Sequence, residues 1–171
     1  MNEKTRDLMF SSKSDEWETP QDLFDELNKE YNFTLDPCAT SENAKCTTYY
    51  TLDEDGLTKD WGGHTVFLNP PYTRGAIAKW IEKAHYEGGK PSTTVVCLIP
   101  ARTDTKYWHD YCMNAAMVYF IKGRLKFGGG NKNRPGNAAP FPSAVIVFSF
   151  DKKKYFGITP THSLNKRGVK I

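Results

Sequence analysis

Four residues constrain this chain more than any others: Asn69-Pro70-Pro71-Tyr72. An apolar run, Thr65-Val66-Phe67-Leu68, leads into them, and a helical pattern starting near Arg74 follows. Strand, stiff turn and helix in that order suit an open α/β sheet. The turn then lies at the carboxyl end of its strand, where such sheets bind ligands. Two consecutive prolines fix φ and stiffen the turn, so polar groups on it need little reorganisation during a reaction. Those groups suit an exocyclic amine. The side-chain oxygen of Asn69 accepts one N–H, the carbonyl of Pro70 accepts the other, and the Tyr72 ring offers a face on which a base can stack. A proline-rich turn without chemistry is the plainer reading, so the rest of the chain has to decide.

Its length of 171 residues allows one domain with a real core. We expect a flexible segment over residues 1–14 and a single domain over residues 15–171. The mean hydropathy of −0.61 fits a water-soluble chain. No apolar run approaches the ~20 residues of a membrane helix, and Met1 to Asp7 contain no signal-peptide core. Cys38, Cys46, Cys97 and Cys112 form no C-x-x-C pair, which points to reduced thiols in a cytoplasm. His64, His85, His109 and His162 are scattered, so no metal site is expected.

Charge divides the chain. From Phe120 to Ile171 there are eleven Lys and Arg against one acid, Asp151, whereas the first 119 residues carry twelve against nineteen. A basic half suggests a polyanionic partner, and DNA is the obvious one. Within it, Arg124, Lys126, Lys132 and Arg134 run into a Gly- and Pro-rich stretch, Gly128 to Pro142, with no acid among them. A loop this long in a compact domain is usually functional or disordered. It matches neither a Walker loop nor the glycine fingerprint of dinucleotide-binding folds.

Periodicity predicts the elements. A helix opens at Thr19-Pro20, with Thr19 as N-cap and Pro20 in the first helical position. A short strand over Phe33–Pro37 ends in an acid, and Thr47–Thr51 is compatible with another. Strands follow at Thr65–Leu68, Thr93–Ile99, Met117–Ile121 and Ser143–Phe150, with Tyr155–Ile158 as a candidate edge. Helices are expected over Gly75–Tyr86 and Asp104–Ala115.

Six segments occur in a restrictive order: Trp17-Glu18-Thr19-Pro20; Leu35-Asp36-Pro37; Asp55-Gly56-Leu57 with Asp60-Trp61; Asn69-Pro70-Pro71-Tyr72 with Trp80-Ile81; Leu98 to Asp104; and Gly123-Arg124-Leu125-Lys126-Phe127. Together, from about Asp15 to Phe148, they resemble the phage-type Dam family of DNA N6-adenine methyltransferases. The resemblance implies a trimmed, Rossmann-like α/β fold that depends on S-adenosylmethionine, with a mixed sheet and helices on both faces. It implies methyl transfer to adenine in double-stranded DNA, with the base flipped into the Asn69, Pro70 and Tyr72 pocket. Trp17 and Thr19 resemble the element that meets the methionine end of the cofactor. Asp36 resembles the acid that accepts from its ammonium or ribose hydroxyls. Asp60, with Asp55 as second choice, would accept from its adenine amine. The resemblance also implies a phage or prophage gene acting in a bacterial cytoplasm.

One departure stands out. The common methyltransferase pattern carries a glycine-rich turn after the Asp-Pro motif, whereas this chain reads Cys38-Ala39-Thr40-Ser41-Glu42-Asn43. Pro37-Cys38 matches the nucleophile dipeptide of C5-cytosine methyltransferases, but not at the position of Asn69-Pro70. N4-cytosine methylation, protein-glutamine methylation and a catalytically silent DNA-binding module are the other readings.

Overall fold

The computed structural model describes residues 17–129, 138–151 and 161–171. The expected flexible segment therefore lies outside the described residues, as do Lys132, Arg134 and the candidate edge Tyr155–Ile158.

Chain order among the described residues is β1 (Trp17–Glu18), α1 (Gln21–Tyr31), β2 (Thr65–Leu68), α2 (Ala76–Gly88), β3 (Thr94–Pro100), α3 (Lys106–Asp110), β4 (Met117–Ile121), β5 (Gly128–Gly129), β6 (Ser143–Ser149) and β7 (Thr161–Leu164). The main sheet runs β2-β3-β6-β4-β7, parallel at its two outer pairs and antiparallel on both sides of β6. β3 and β6 are apolar and buried along nearly their whole length, as central strands covered on both faces must be.

Register shows that both faces carry a helix. Val66 is level with Val95, and Val95 with Phe148, so these three share a face; Phe67, Val96 and Val147 share the other. The helix α2 lies on the first, where His85 meets Phe148 edge-on at 5.5 Å. Its last residue, Gly88, backs directly onto the sheet; a Cβ there would sit 2.5 Å from the Cβ of Phe148. The helix α1 lies on the second face, where Phe24 meets Phe67 edge-on at 5.1 Å. The mixed α/β fold expected from the sequence, with helices on both faces, is therefore present.

Several elements are shorter than expected. The first strand is reduced to one parallel bridge between Leu35 and Val66, and Thr47–Thr51 to one bridge between Tyr49 and Asp36. The backbone still follows strand-like bonding, since Phe67 N–H donates to Leu35 O at 2.9 Å and Tyr50 N–H to Asp36 O at 3.0 Å. These bonds carry Asp36 to the carboxyl edge of β2. The helix expected over Asp104–Ala115 becomes α3 and a 3-10 turn, Cys112–Asn114, broken at Tyr111. That break lets the chain enter the sheet promptly, with Ala116 N–H donating to Val147 O. Thr19 does not cap α1: Pro20 occupies the cap, and its carbonyl accepts from Phe24 N–H at 3.1 Å.

Candidate active site

The carboxyl edge of β2 and the Leu35–Asp36 bridge open into a cavity of about 980 Å³, counted out to its solvent mouth. Its walls come from three stretches: Trp17 to Thr19, Asp36 to Thr40 with Lys45, and Tyr50 to Leu52 with Gly56; Asn69, Pro70 and Pro71 form the rim.

Asp36 is 4% exposed. Its carboxylate accepts from Lys45 N–H at 3.1 Å and Cys38 N–H at 3.4 Å. Burial raises its pKa to about 6, against the lowering effect of those N–H groups and of the Lys45 charge. A carboxylate has about four acceptor sites, so two donors leave room for a cationic or hydroxyl-bearing ligand in the cavity. Burial, followed by the charge of Asp36, pushes the Cys38 thiol well up. A thiol held protonated is a poor nucleophile, which argues against the C5-cytosine reading.

The glycines missing after Pro37 are replaced from a distance. Gly56 packs so closely on this turn that a Cβ would lie 2.0 Å from Pro37 O. Its carbonyl accepts from the indole N–H of Trp61 at 3.0 Å, and Trp61 stacks on Trp80. Sequence reading missed Gly56, Lys45 and Tyr50 as cavity residues. Only Gly56 had a signal, because it lies in the Asp55-Gly56-Leu57 segment.

Asp60 lies apart from the other candidates. It is not part of the cavity wall; its side chain is 79% exposed and pairs with Lys90 at 2.7 Å. The Lys90 ammonium, helped by Gly62 N–H, holds its carboxyl down at about 2. Lys90 also bridges to Glu87, which in turn pairs with Lys83 and accepts from Trp61 N–H. Asp60 therefore secures the Trp61 turn to the end of α2. Asp55 turns its side chain to its own loop and accepts from Leu57 N–H.

Asn69 is anchored on both sides. Its Nδ2 donates to Trp17 O at 2.6 Å and to Thr19 Oγ1 at 3.0 Å, and its Oδ1 accepts from the Tyr72 hydroxyl at 2.7 Å. A carbonyl can only accept, so the group facing Trp17 must be the NH₂, and this fixes which way the amide points. One lone pair on Oδ1 stays open.

Tyr72 is packed inside the wall. The expected stacking face is enclosed: the residue is 4% exposed, with Phe141 and Phe127 edge-on at 5.5 and 6.2 Å. Burial holds its hydroxyl protonated as a donor. That hydroxyl lies 3.2 Å from Leu98 O as well as close to Asn69. Arg102 donates to the Tyr72 carbonyl at 3.3 Å.

The basic stretch alternates. Leu125 and Phe127 are buried, whereas Arg124 and Lys126 are exposed. Gly128–Gly129 pair with Trp17–Glu18, and Phe141 meets Trp17 edge-on at 5.1 Å. Both ends of the long loop thus close on the wall that holds Asn69. Among the described residues, no group of three or more His, Cys, Asp or Glu could hold a metal ion. No described helix is long and apolar enough to cross a membrane.

Fold and site together define the class: a mixed α/β methyltransferase fold with its cavity at the strands' carboxyl edge. The family model described as "DNA N-6-adenine-methyltransferase (Dam)" matches residues 7–170, and the chain belongs to that family of adenine-specific DNA methyltransferases. It is 29% identical over 173 aligned positions to the DNA N-6-adenine-methyltransferase of Haemophilus phage HP1, covering 96% of this chain and 98% of the relative. It is 32% identical to the protein of the same name from Escherichia phage T1, over 65% of this chain and 46% of the relative. A putative methyltransferase of Escherichia coli K12, YfdM, matches at 37% over 34% of this chain and 71% of its own length.

Proposed function

We propose that the chain transfers a methyl group from S-adenosylmethionine to the exocyclic N6 amine of a flipped adenine in double-stranded DNA. The observation that carries this reading is a single cavity that joins a buried, incompletely partnered carboxylate, Asp36, to the oriented amide of Asn69. The residues present fit the cofactor. Asp36 accepts from its ammonium or its ribose hydroxyls, and the Trp17–Thr19 wall flanks it. Once bound there, the cofactor supplies an electrophilic methyl group.

The rest is done by the chain. The lone pair of the adenine amine is delocalised into the ring, so the amine is a poor nucleophile. Asn69 Oδ1 and the Pro70 carbonyl, accepting its two hydrogens, favour a pyramidal nitrogen whose lone pair points into the cavity. That geometry exists more in the transition state than in the ground state, so the contacts accelerate reaction. The two prolines keep both acceptors in place beforehand. No tuned general base is needed, because the methylated ammonium product is strongly acidic. Tyr72 supports Asn69 from behind, and the half-buried ring of Phe141 is the more accessible surface for the flipped base. Arg124 and Lys126 contact the phosphate backbone, with Lys132 and Arg134 as further contacts by charge. The setting is the cytoplasm of a bacterial cell, with a phage or prophage gene as the source.

Incubation with S-adenosylmethionine and mixed-sequence duplex DNA, followed by mass spectrometry of the nucleosides, tests the reading. N6-methyladenine is the expected product. N4-methylcytosine, or no methylated nucleoside at all, would contradict it.

A further inference from the structure

Asparagine at a site of this kind has a difficulty that a carboxylate lacks. Its amide can present an oxygen or an NH₂, and an NH₂ would face the substrate amine donor to donor. Something must choose the orientation. We propose that Thr19 is a positioning residue for methyl transfer: its hydroxyl oxygen, together with the Trp17 carbonyl, holds the Asn69 NH₂ and turns the Asn69 oxygen toward the substrate amine. The inference rests on the adenine-methylation reading above.

Three observations support it. Thr19 is 5% exposed, so bulk water does not compete strongly for its hydroxyl at 3.0 Å from Asn69 Nδ2. The hydroxyl is not used to cap α1, although Thr19 directly precedes Pro20 at the helix start; Pro20 takes that place. The backbone around Thr19 is held on both sides, by the pairing of Trp17–Glu18 with Gly128–Gly129 and by the first turn of α1. The Tyr72 hydroxyl completes the arrangement by fixing Oδ1. The residue that aims the amine acceptor therefore belongs to the wall of the same cavity as Asp36.

Thr19→Val keeps the shape and removes the hydroxyl; Thr19→Ser keeps the hydroxyl. Each is read in three ways: single-turnover methyl transfer at saturating cofactor and DNA, cofactor Kd by calorimetry, and hydrogen exchange of the Asn69 side-chain NH₂, assigned by its absence in Asn69→Ala. Loss of one neutral hydrogen bond slows Thr19→Val roughly tenfold. Asn69 NH₂ exchange is expected to quicken alongside the slower transfer, and Thr19→Ser recovers most of both losses. Wild-type transfer with wild-type exchange in Thr19→Val would overturn the proposal. Weakened cofactor binding with an unchanged single-turnover rate would also overturn it, leaving Thr19 as a cofactor contact. If valine prevents folding, Thr19→Ala is read by the same criteria. A wild-type protein that methylates no adenine would remove the underlying reading, whereas the exchange comparison needs no DNA and still reports whether Thr19 holds Asn69.

Discussion

Asp36 shows what a buried carboxylate costs its own fold. Its pKa rises from 3.8 unfolded to about 6 folded. Between those values the native state keeps a proton that the unfolded state has released, so this group's contribution to stability falls as pH rises from about 4 to about 6. Above that window its ionised form costs the cofactor-free protein about 3 kcal/mol. Denaturant unfolding of wild type and Asp36→Asn across pH 4–7 should show the wild type losing ground to the variant as pH rises. A stability difference independent of pH would mean that Asp36 titrates normally. If the Asp36 carboxylate accepts from the cofactor as proposed, cofactor binding carries the opposite sign. Affinity should rise with pH up to about 6 and then level off, and in Asp36→Asn it should be weaker and lose that rise. Calorimetry at several pH values measures both, and unchanged affinity in the variant would reduce Asp36 to a turn residue.

At the scale of elements, Gly56 makes the sharpest demand. It approaches Pro37 too closely for any side chain, so Gly56→Ala must displace the Asp36–Pro37 turn. The expected result is a loss of ~1–3 kcal/mol in stability and a smaller thermal shift on adding cofactor. A wild-type melting temperature and a wild-type cofactor shift would show that the turn tolerates the displacement. The same region shows where sequence reasoning worked. Elements that bury a continuous apolar face were legible: β3, β6 and α2 lie within a residue or two of their predicted bounds, because apolar run length and helical period decide them. The extent of elements fixed by single backbone bonds was not. The strands expected over Phe33–Pro37 and Thr47–Thr51 shrink to one bridge each, at Leu35–Val66 and Asp36–Tyr49, and no periodicity registers that. β7, Thr-His-Ser-Leu, is polar at three of four positions and lies at the sheet edge, so it shows no apolar signal. In the site, Asn69, Asp36 and Thr19 were legible as candidates, but their partners were not. Asn69 meets Trp17 and Thr19 across some fifty residues of sequence, and only the fold brings them together. The Asp60 pairing with Lys90 was not legible either, because an acid in a loop motif looks the same whether it faces a ligand or a lysine.

The whole molecule separates chemistry from attraction. The cavity lies in the acidic part of the chain, and the cations lie in the basic part, whose loop ends close on the Asn69 wall. If Arg124 and Lys126 each neutralise one phosphate, alanine at either should weaken binding to every duplex alike and lower the slope of log affinity against log salt by ~0.9. Unchanged slopes in both variants would move the DNA to another surface. The central claim, that Asn69 receives the amine beside a cofactor held at Asp36, is tested most directly by single-turnover transfer of a deuterated methyl group from S-adenosylmethionine to duplex DNA, comparing wild type with Asn69→Ala. Wild type should place the label on adenine N6. Losing one preorganised acceptor should slow the variant by ~10²–10³-fold at a cofactor affinity equal to wild type. Equal rates in the two proteins, or label on cytosine, would contradict the account.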